Sequence, residues 1–238
     1  MTRCFVLIAV LAAALAYPAG AGAHSALRHG APNHRISHST SSNWSGYSAT
    51  GGRFTSVSAS WKQPSASCTS TTAYSSFWVG LDGDGSNTVE QLGTDADCSG
   101  GSPVYYAWYE MYPKFPVNLS MAIHPGDTIS ASVTTDGAGS FTLSIRDVTT
   151  GGSFSTVQRS RKARLASAEV IAEAPSGSGG VLPLANFGTV GFSSAMVDGA
   201  AIGSFNPDRI DMASGSVTKA TTSSLSGGTA FSVTWKHS

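Results

Sequence analysis

From residue 42 onward the chain is a succession of short β-branched or aromatic runs broken by Gly, Ser, Asp and Pro, a texture that predicts an antiparallel all-β fold. Strands are predicted at 54–61, 75–81, 104–112, 128–134, 141–147, 167–173, 185–192, 209–212 and 230–235. Turn chemistry separates them at Asp82-Gly83-Asp84-Gly85, Asp136-Gly137 and Gly151-Gly152. No segment shows the periodicity of an amphipathic helix. Two stacked antiparallel sheets in a concanavalin or jelly-roll-like β-sandwich are therefore expected, as one domain over residues 41–238.

The two-residue period also assigns faces. In 106–112, Tyr106, Trp108, Glu110 and Tyr112 share one side, an aromatic wall holding one carboxylate. In 168–173, Glu169, Ile171 and Glu173 lie together, while Val170 and Ala172 point the other way. An aromatic strand face is ordinarily core, but a buried carboxylate is costly without a partner, so Glu110 points to a groove.

The N-terminal pattern differs. Residues 1–23 begin Met1-Thr2-Arg3, continue through an apolar stretch and end at Ala21-Gly22-Ala23, which reads as a secretory signal peptide with a small-residue cleavage site. The stretch falls short of the roughly 20 apolar residues that span a bilayer, so no membrane attachment is expected after cleavage. Residues 24–40 are polar and carry His24, His29, His34 and His38 with Arg28 and Arg35. They read as a disordered linker or a short pro-segment whose cations could lie against an acidic groove.

Charged residues make up 12% of the chain, against about 25% in ordinary soluble domains. Low charge suits an acidic extracellular medium. Beyond residue 40 there are 11 basic and 14 acidic residues, a balance of −3, and nine of the acids fall between Asp82 and Asp147. With no basic stripe, a nucleic-acid partner is not expected. Cys68 and Cys98 remain once the signal peptide is removed, and in an exported chain they are expected to pair, two free thiols being the alternative.

Elimination narrows the chemistry. The expected domain holds only His124 and His237, in no zinc-binding arrangement, so no metal or other cofactor is expected. The loop Asp82-x-Asp84-x-Ser86 departs from a calcium loop at Asn87 and Gly93. There is no Gly-x-Ser-x-Gly elbow and no Asp-Thr-Gly or Asp-Ser-Gly sequence. Carboxylate and amide chemistry remains.

The residues that carry it are Ser42-Asn43-Trp44, Trp78-Val79-Gly80-Leu81-Asp82-Gly83, the segment around Gln91, Ala107-Trp108-Tyr109-Glu110 with Tyr112 and Pro113, Ala168-Glu169-Val170-Ile171-Ala172-Glu173, and Leu182-Pro183-Leu184-Ala185-Asn186-Phe187. In this order they resemble the glutamic peptidases, or eqolisins, a family of acid endopeptidases. The resemblance implies a two-sheet fold, Gln91 and Glu173 as the catalytic pair, and Trp44, Trp78, Asp82, Glu110 and Tyr112 as residues lining or supporting the cleft. Tyr106, where family members carry an acidic residue, and Glu90, where they carry an apolar one, are departures.

The chemistry so implied is hydrolysis of polypeptides by a secreted monomer. Glu173 would activate water and then protonate the leaving amine, and Gln91 would stabilise the oxyanion. A carboxylate base with a pKa of about 4.3 ties such activity to acid, and Asp82 is expected to orient Gln91 or the water. Glu169 and Glu173, four residues apart in a strand, lie about 14 Å from one another, too far for a glycosidase pair. Glu173 with Glu110 stays open as a β-sandwich glycoside hydrolase pair. A carbohydrate-binding module, with aromatic platforms and no catalytic dyad, is the other alternative.

Overall fold

The structure, a computed structural model, describes residues 27–29 and 40–238. The expected signal peptide and most of the expected linker or pro-segment lie outside the described residues.

The first strands are β1 (Thr40–Ser41), β2 (Trp44–Thr50), β3 (Ser56–Lys62), β4 (Ser76–Leu81), β5 (Val89–Ser99) and β6 (Ser102–Tyr112). Next come β7 (Val117–Asn118), β8 (Thr128–Thr135), β9 (Ser140–Asp147), β10 (Ser153–Arg159), β11 (Ser167–Glu173), β12 (Ser176–Gly177) and β13 (Gly180–Val181). The chain closes with β14 (Thr189–Val197), β15 (Ala200–Ala201), a 3-10 turn (Ile202–Phe205), β16 (Asp208–Ser214), β17 (Val217–Thr222) and β18 (Phe231–Trp235). No helix among the described residues is long and apolar enough to cross a membrane.

Two antiparallel layers form. The front layer runs β2-β11-β4-β5-β6-β7 and the back layer β10-β9-β8-β3-β14-β18-β17-β16, with β16 also pairing β2 so that the layers join along one side. Phe77, Val79, Leu81 and Leu92 of the front layer meet Val133, Phe141, Leu143 and Phe192 of the back in the main core. Each such side chain contributes about 1.5–3 kcal/mol when fully buried.

The layers differ in how their strands are buried. In β3, β8 and β9 buried and half-buried positions alternate, as for strands with one face in the core and one toward water. In β4 and β11 every residue is buried. The front layer is thus covered on both faces. Its outer face carries a second apolar cluster of Trp44, Trp78, Val89, Trp108, Ile171 and Ile210, with Tyr106 and Tyr112 against it.

All nine predicted strands have a counterpart, but 185–192 is displaced. The strand there begins at Thr189, because Leu184 and Asn186 make only isolated bridges, to Tyr74 and Ser67. The sequence pattern does not mark β2, β5, β10 and β17. Cys68 and Cys98 form the expected disulfide, with Cα atoms 5.4 Å apart. Thr40 and Ser41 pair in parallel with Asp211 and Met212.

Candidate active site

Register brings the expected residues onto the outer face of the front layer. Gln91 of β5 pairs with Gly80 of β4 and Glu110 of β6. Two residues along, Gly93 lies between Trp78 and Trp108, and two further, Asp95 lies between Ser76 and Tyr106. Glu173 of β11 pairs with Trp44 and Ser76. The predicted alternation holds: Ile171 joins the outer cluster with Trp108, while Val170, Ala172 and Ala107 enter the main core.

Glu173 is fully buried, and Asn43 and Trp78 both donate to it. Asn43 Nδ2 donates to Oε1 at 3.2 Å, and Trp78 Nε1 donates to Oε2 at 2.8 Å. Trp44 packs edge-on against Trp78, ring centroids 5.0 Å apart, and so backs that donor. Hydrogen bonds of this kind orient a carboxylate and favour its charged form.

Gln91 is also fully buried, and its amide nitrogen serves two acceptors: Glu110 Oε2 at 2.9 Å and the backbone carbonyl of His29 at 2.5 Å. An amide has two N–H groups, so both are used. Burial, with the Glu173 charge second, pushes the Glu110 carboxyl well above its ordinary range. Tyr112 packs beside this group against the aromatic cluster.

Asp82 takes another role than the one expected. Its carboxylate accepts from the backbone N–H groups of Arg164 and Leu165 at 2.7 and 2.9 Å and of Ala166 at 2.8 Å. Three amides converge on one carboxylate, which pins the segment entering β11 instead of turning Gln91 or a water. Asp82 supports the site through the strand that carries Glu173. Glu169 also sits apart from the pair, with Oε1 accepting from Asp84 N–H at 3.3 Å and its carboxyl raised by burial.

Several residues of this face were not singled out from sequence. Asn43 lies inside the Ser42-Asn43-Trp44 motif, and Ser76 and Asp95 could have been found by continuing the alternation from Trp78 and Gln91. Asp95 Oδ1 accepts from Trp108 Nε1 at 2.5 Å, and the Tyr106 hydroxyl lies 2.7 Å from Asp95 Oδ2 and 2.9 Å from Asp97 Oδ2. A phenol has one hydrogen to give, so a proton on either carboxyl completes the triangle. Burial agrees, raising Asp95 to about 7 and raising Asp97 well above its ordinary value, the latter helped by the Asp95 charge.

The remaining occupants come from upstream. Leu27 and His29 are buried, and the His29 ring lies on this face against Trp108. Arg28 exchanges backbone hydrogen bonds with Ser176, both 2.9 Å, its guanidinium donates to Pro113 O at 3.1 Å, and it lies 4.3 Å over the Phe115 ring. Residues 28 and 29 of the stretch expected to be linker or pro-segment thus lie against residues expected to act.

Residues 42–235 match the Peptidase A4 family. Scytalidopepsin B of Scytalidium lignicola is 40% identical over 112 residues, 46% of this chain and 42% of that protein. Aspergillopepsin-2 of Aspergillus niger is 31% identical over 179 residues, 65% of this chain and 64% of that protein. The chain therefore spans less than two thirds of the length of these curated relatives. Among solved structures, scytalido-glutamic peptidase with a peptide-based transition-state analog superposes with a TM-score of 0.71 at 30% identity, covering 82% of this chain and 98% of that one. Aspergilloglutamic peptidase from Aspergillus niger gives 0.63 at 27% identity, covering 69% and 99%. With the family match extending over nearly all of the described domain, the chain belongs to the Peptidase A4 family, the glutamic peptidases that its motifs resemble.

Proposed function

We propose that the protein is an exported acid endopeptidase in which Glu173 is the general base and Gln91 the oxyanion donor. On this reading residues 1–23 direct export and are removed, residues 24–40 are a linker or short pro-segment, and residues 41–238 act as a monomeric catalytic unit on extracellular polypeptides.

The observation that carries the reading is the 2.5 Å contact from Gln91 Nε2 to the His29 carbonyl: a side-chain amide already holds a peptide carbonyl oxygen. Electrostatic stabilisation acts on that oxygen as charge develops there. Glu173 takes a proton from water while the water oxygen bonds to the carbonyl carbon, and the oxygen, now an oxyanion, remains against Gln91. Glu173 then returns the proton to the amide nitrogen as the C–N bond breaks, leaving a carboxyl and a free amine. Asn43 and Trp78 aim the carboxylate through both steps. The transition-state analog bound to scytalido-glutamic peptidase, a peptide-based one, supports the same class of substrate here.

Digestion of denatured casein from pH 2 to 8 tests the proposal. Wild type is expected to cleave in acid only. Gln91→Ala should lose about 10²–10³-fold in kcat, the usual effect of removing one oxyanion donor. Glu173→Gln should lose about 10²–10⁴-fold, the range for a positioned acid–base group. Folded wild type that leaves casein intact at every pH would refute the assignment.

A further inference from the structure

Five of the 11 basic residues beyond residue 40 are Arg53 and the run Arg159, Arg161, Lys162 and Arg164. Peptide hydrolysis by Glu173 and Gln91 makes no use of them. The fold brings three together, for Arg53, ahead of β3, and Arg161 and Arg164, between β10 and β11, line one cavity of about 380 Å³ with the turn at Gly137 and Gly139. Phe141 and Leu165 line it too, and both are buried, so its floor is apolar and its rim cationic. The cavity shares no residue with the face that holds Gln91 and Glu173.

The three guanidiniums have no counter-charge. Among the described residues no carboxylate forms an ion pair with any of them. Arg53 donates to the Gly137 carbonyl at 2.7 Å and Arg164 to the Gly85 carbonyl at 3.4 Å, while Arg161 makes no side-chain hydrogen bond among the described residues. Each guanidinium carries five N–H donors, so most stay unused. The acids nearest in the chain are already engaged: Asp136 by the Ala138 and Ser140 amides, with Arg159 facing it, and Asp82 by the amides of residues 164–166. The walls are also fixed before anything binds. Phe54 N–H donates to the Leu165 carbonyl and Ser160 N–H to the Gly139 carbonyl, both at 3.0 Å. A Cβ on Gly137 would lie 3.1 Å from both terminal nitrogens of Arg53, so the glycine makes room for that side chain.

Like charges gathered on a rigid frame repel one another and raise a positive potential that an anion relieves. We infer that this cavity binds a small phosphate or sulfate ester, its anionic head among Arg53, Arg161 and Arg164. A carboxylate offers two oxygens to three guanidiniums, whereas the head of such an ester offers three, one for each. The volume falls within the range of about 300–1,000 Å³ usual for small-molecule sites, which leaves space beyond the head for an organic body over Phe141 and Leu165. An ester held there also links Arg53 to the segment that Asp82 pins ahead of β11.

Calorimetric titration of the full-length protein at about pH 5.5 with phenyl phosphate, inorganic phosphate and benzoate, each against sodium chloride at equal ionic strength, tests this. Phenyl phosphate is expected to bind with a Kd below about 1 mM, at least about fivefold tighter than either other anion. Arg161→Gln removes an exposed side chain that holds nothing in the fold, and should weaken phenyl phosphate by about fivefold or more. Arg146→Gln, which removes the same charge from an exposed position on β9, should change it by less than about twofold. No binding beyond the chloride control, or equal losses in the two variants, overturns the site. Inorganic phosphate as tight as phenyl phosphate overturns the ester, and benzoate as tight overturns the three-oxygen head.

Discussion

Gln91 shows how hydrogen-bond arithmetic can aim one side chain. One N–H is spent on Glu110, so the other is directed at a peptide carbonyl. Glu110 is therefore a positioning residue, and its raised pKa leaves it uncharged in acid, where it adds no negative charge next to the developing oxyanion. Glu110→Ala frees the amide to rotate, and kcat should fall by about tenfold to a hundredfold with KM little changed, less than the loss from removing the donor itself. Glu110→Gln, whose carbonyl can still accept, should recover most of it; steady-state kinetics on a peptide substrate separate the two. The two-residue period groups Glu110 with Tyr106, Trp108 and Tyr112, and Glu173 with Ile171, and the outer cluster has these aromatic and apolar neighbours together, whereas Gln91 is named only through the resemblance. The function of Asp82 was not legible, because the donors it accepts from, the amides of Arg164, Leu165 and Ala166, are more than 80 residues away and carry no side-chain signal.

At the scale of elements, the strand that matters most is the one the pattern hides. β5 reads Val-Glu-Gln-Leu-Gly-Thr-Asp-Ala-Asp-Cys-Ser, poor in the β-branched and aromatic residues that mark strands, and its outward positions include Gln91, Gly93 and Asp95 at the site. Its stability comes from neighbours on both sides, β4 and β6, and from the Cys68–Cys98 link at its far end. Gly93 is required where it stands, since a Cβ there would lie 2.2 Å from the Phe77 carbonyl and 2.6 Å from Trp78 Cβ. Gly93→Ala should push β4 from β5 and lower both stability and activity. The disulfide closes a loop that contains β4 and Gln91. Cys68→Ser with Cys98→Ser should cost roughly 3 kcal/mol, or a fall in Tm of about 6–12 °C for a domain of this size, read by calorimetry. A variant pair with unchanged Tm would mean that strand pairing alone holds β5.

For the whole molecule, buried acids decide how stability varies with pH. Burial raises Glu90 to about 8 and Asp95 to about 7, and raises Asp97, Glu110 and Glu169 as well. Unfolded, these groups ionise near their ordinary values of 3.8 and 4.5, while the folded chain keeps them protonated. The unfolded state therefore binds fewer protons above that range, and stability falls as pH rises from about 4.5 to 8. Asp136, lowered by the Ser140 and Ala138 amides, gives the opposite slope, a contribution lost as pH falls below 3.8. Asp147, where burial is outweighed by hydrogen bonds from Thr150 and Thr149, does the same. His29 also opposes the first trend, because below 6.5 a released imidazole takes a proton that the buried ring refuses down to about 3. On these shifts acid is expected to weaken the hold on His29 while it stabilises the domain beneath. A plot of Tm against pH from 3 to 9 should peak near pH 4 and decline toward neutrality. Glu90→Gln tests the cause, for Glu90 is fully buried beside Leu81 and Met111, and an amide there cannot ionise. That variant should flatten the limb between pH 4.5 and 8 and raise Tm at pH 8 more than at pH 4. An unaltered limb would assign the decline to Asp95 and its neighbours instead. The same balance accounts for the 12% charge content: a domain that carries its acids inside, protonated, is built to be most stable where a carboxylate base and a neutral Glu110 can work together.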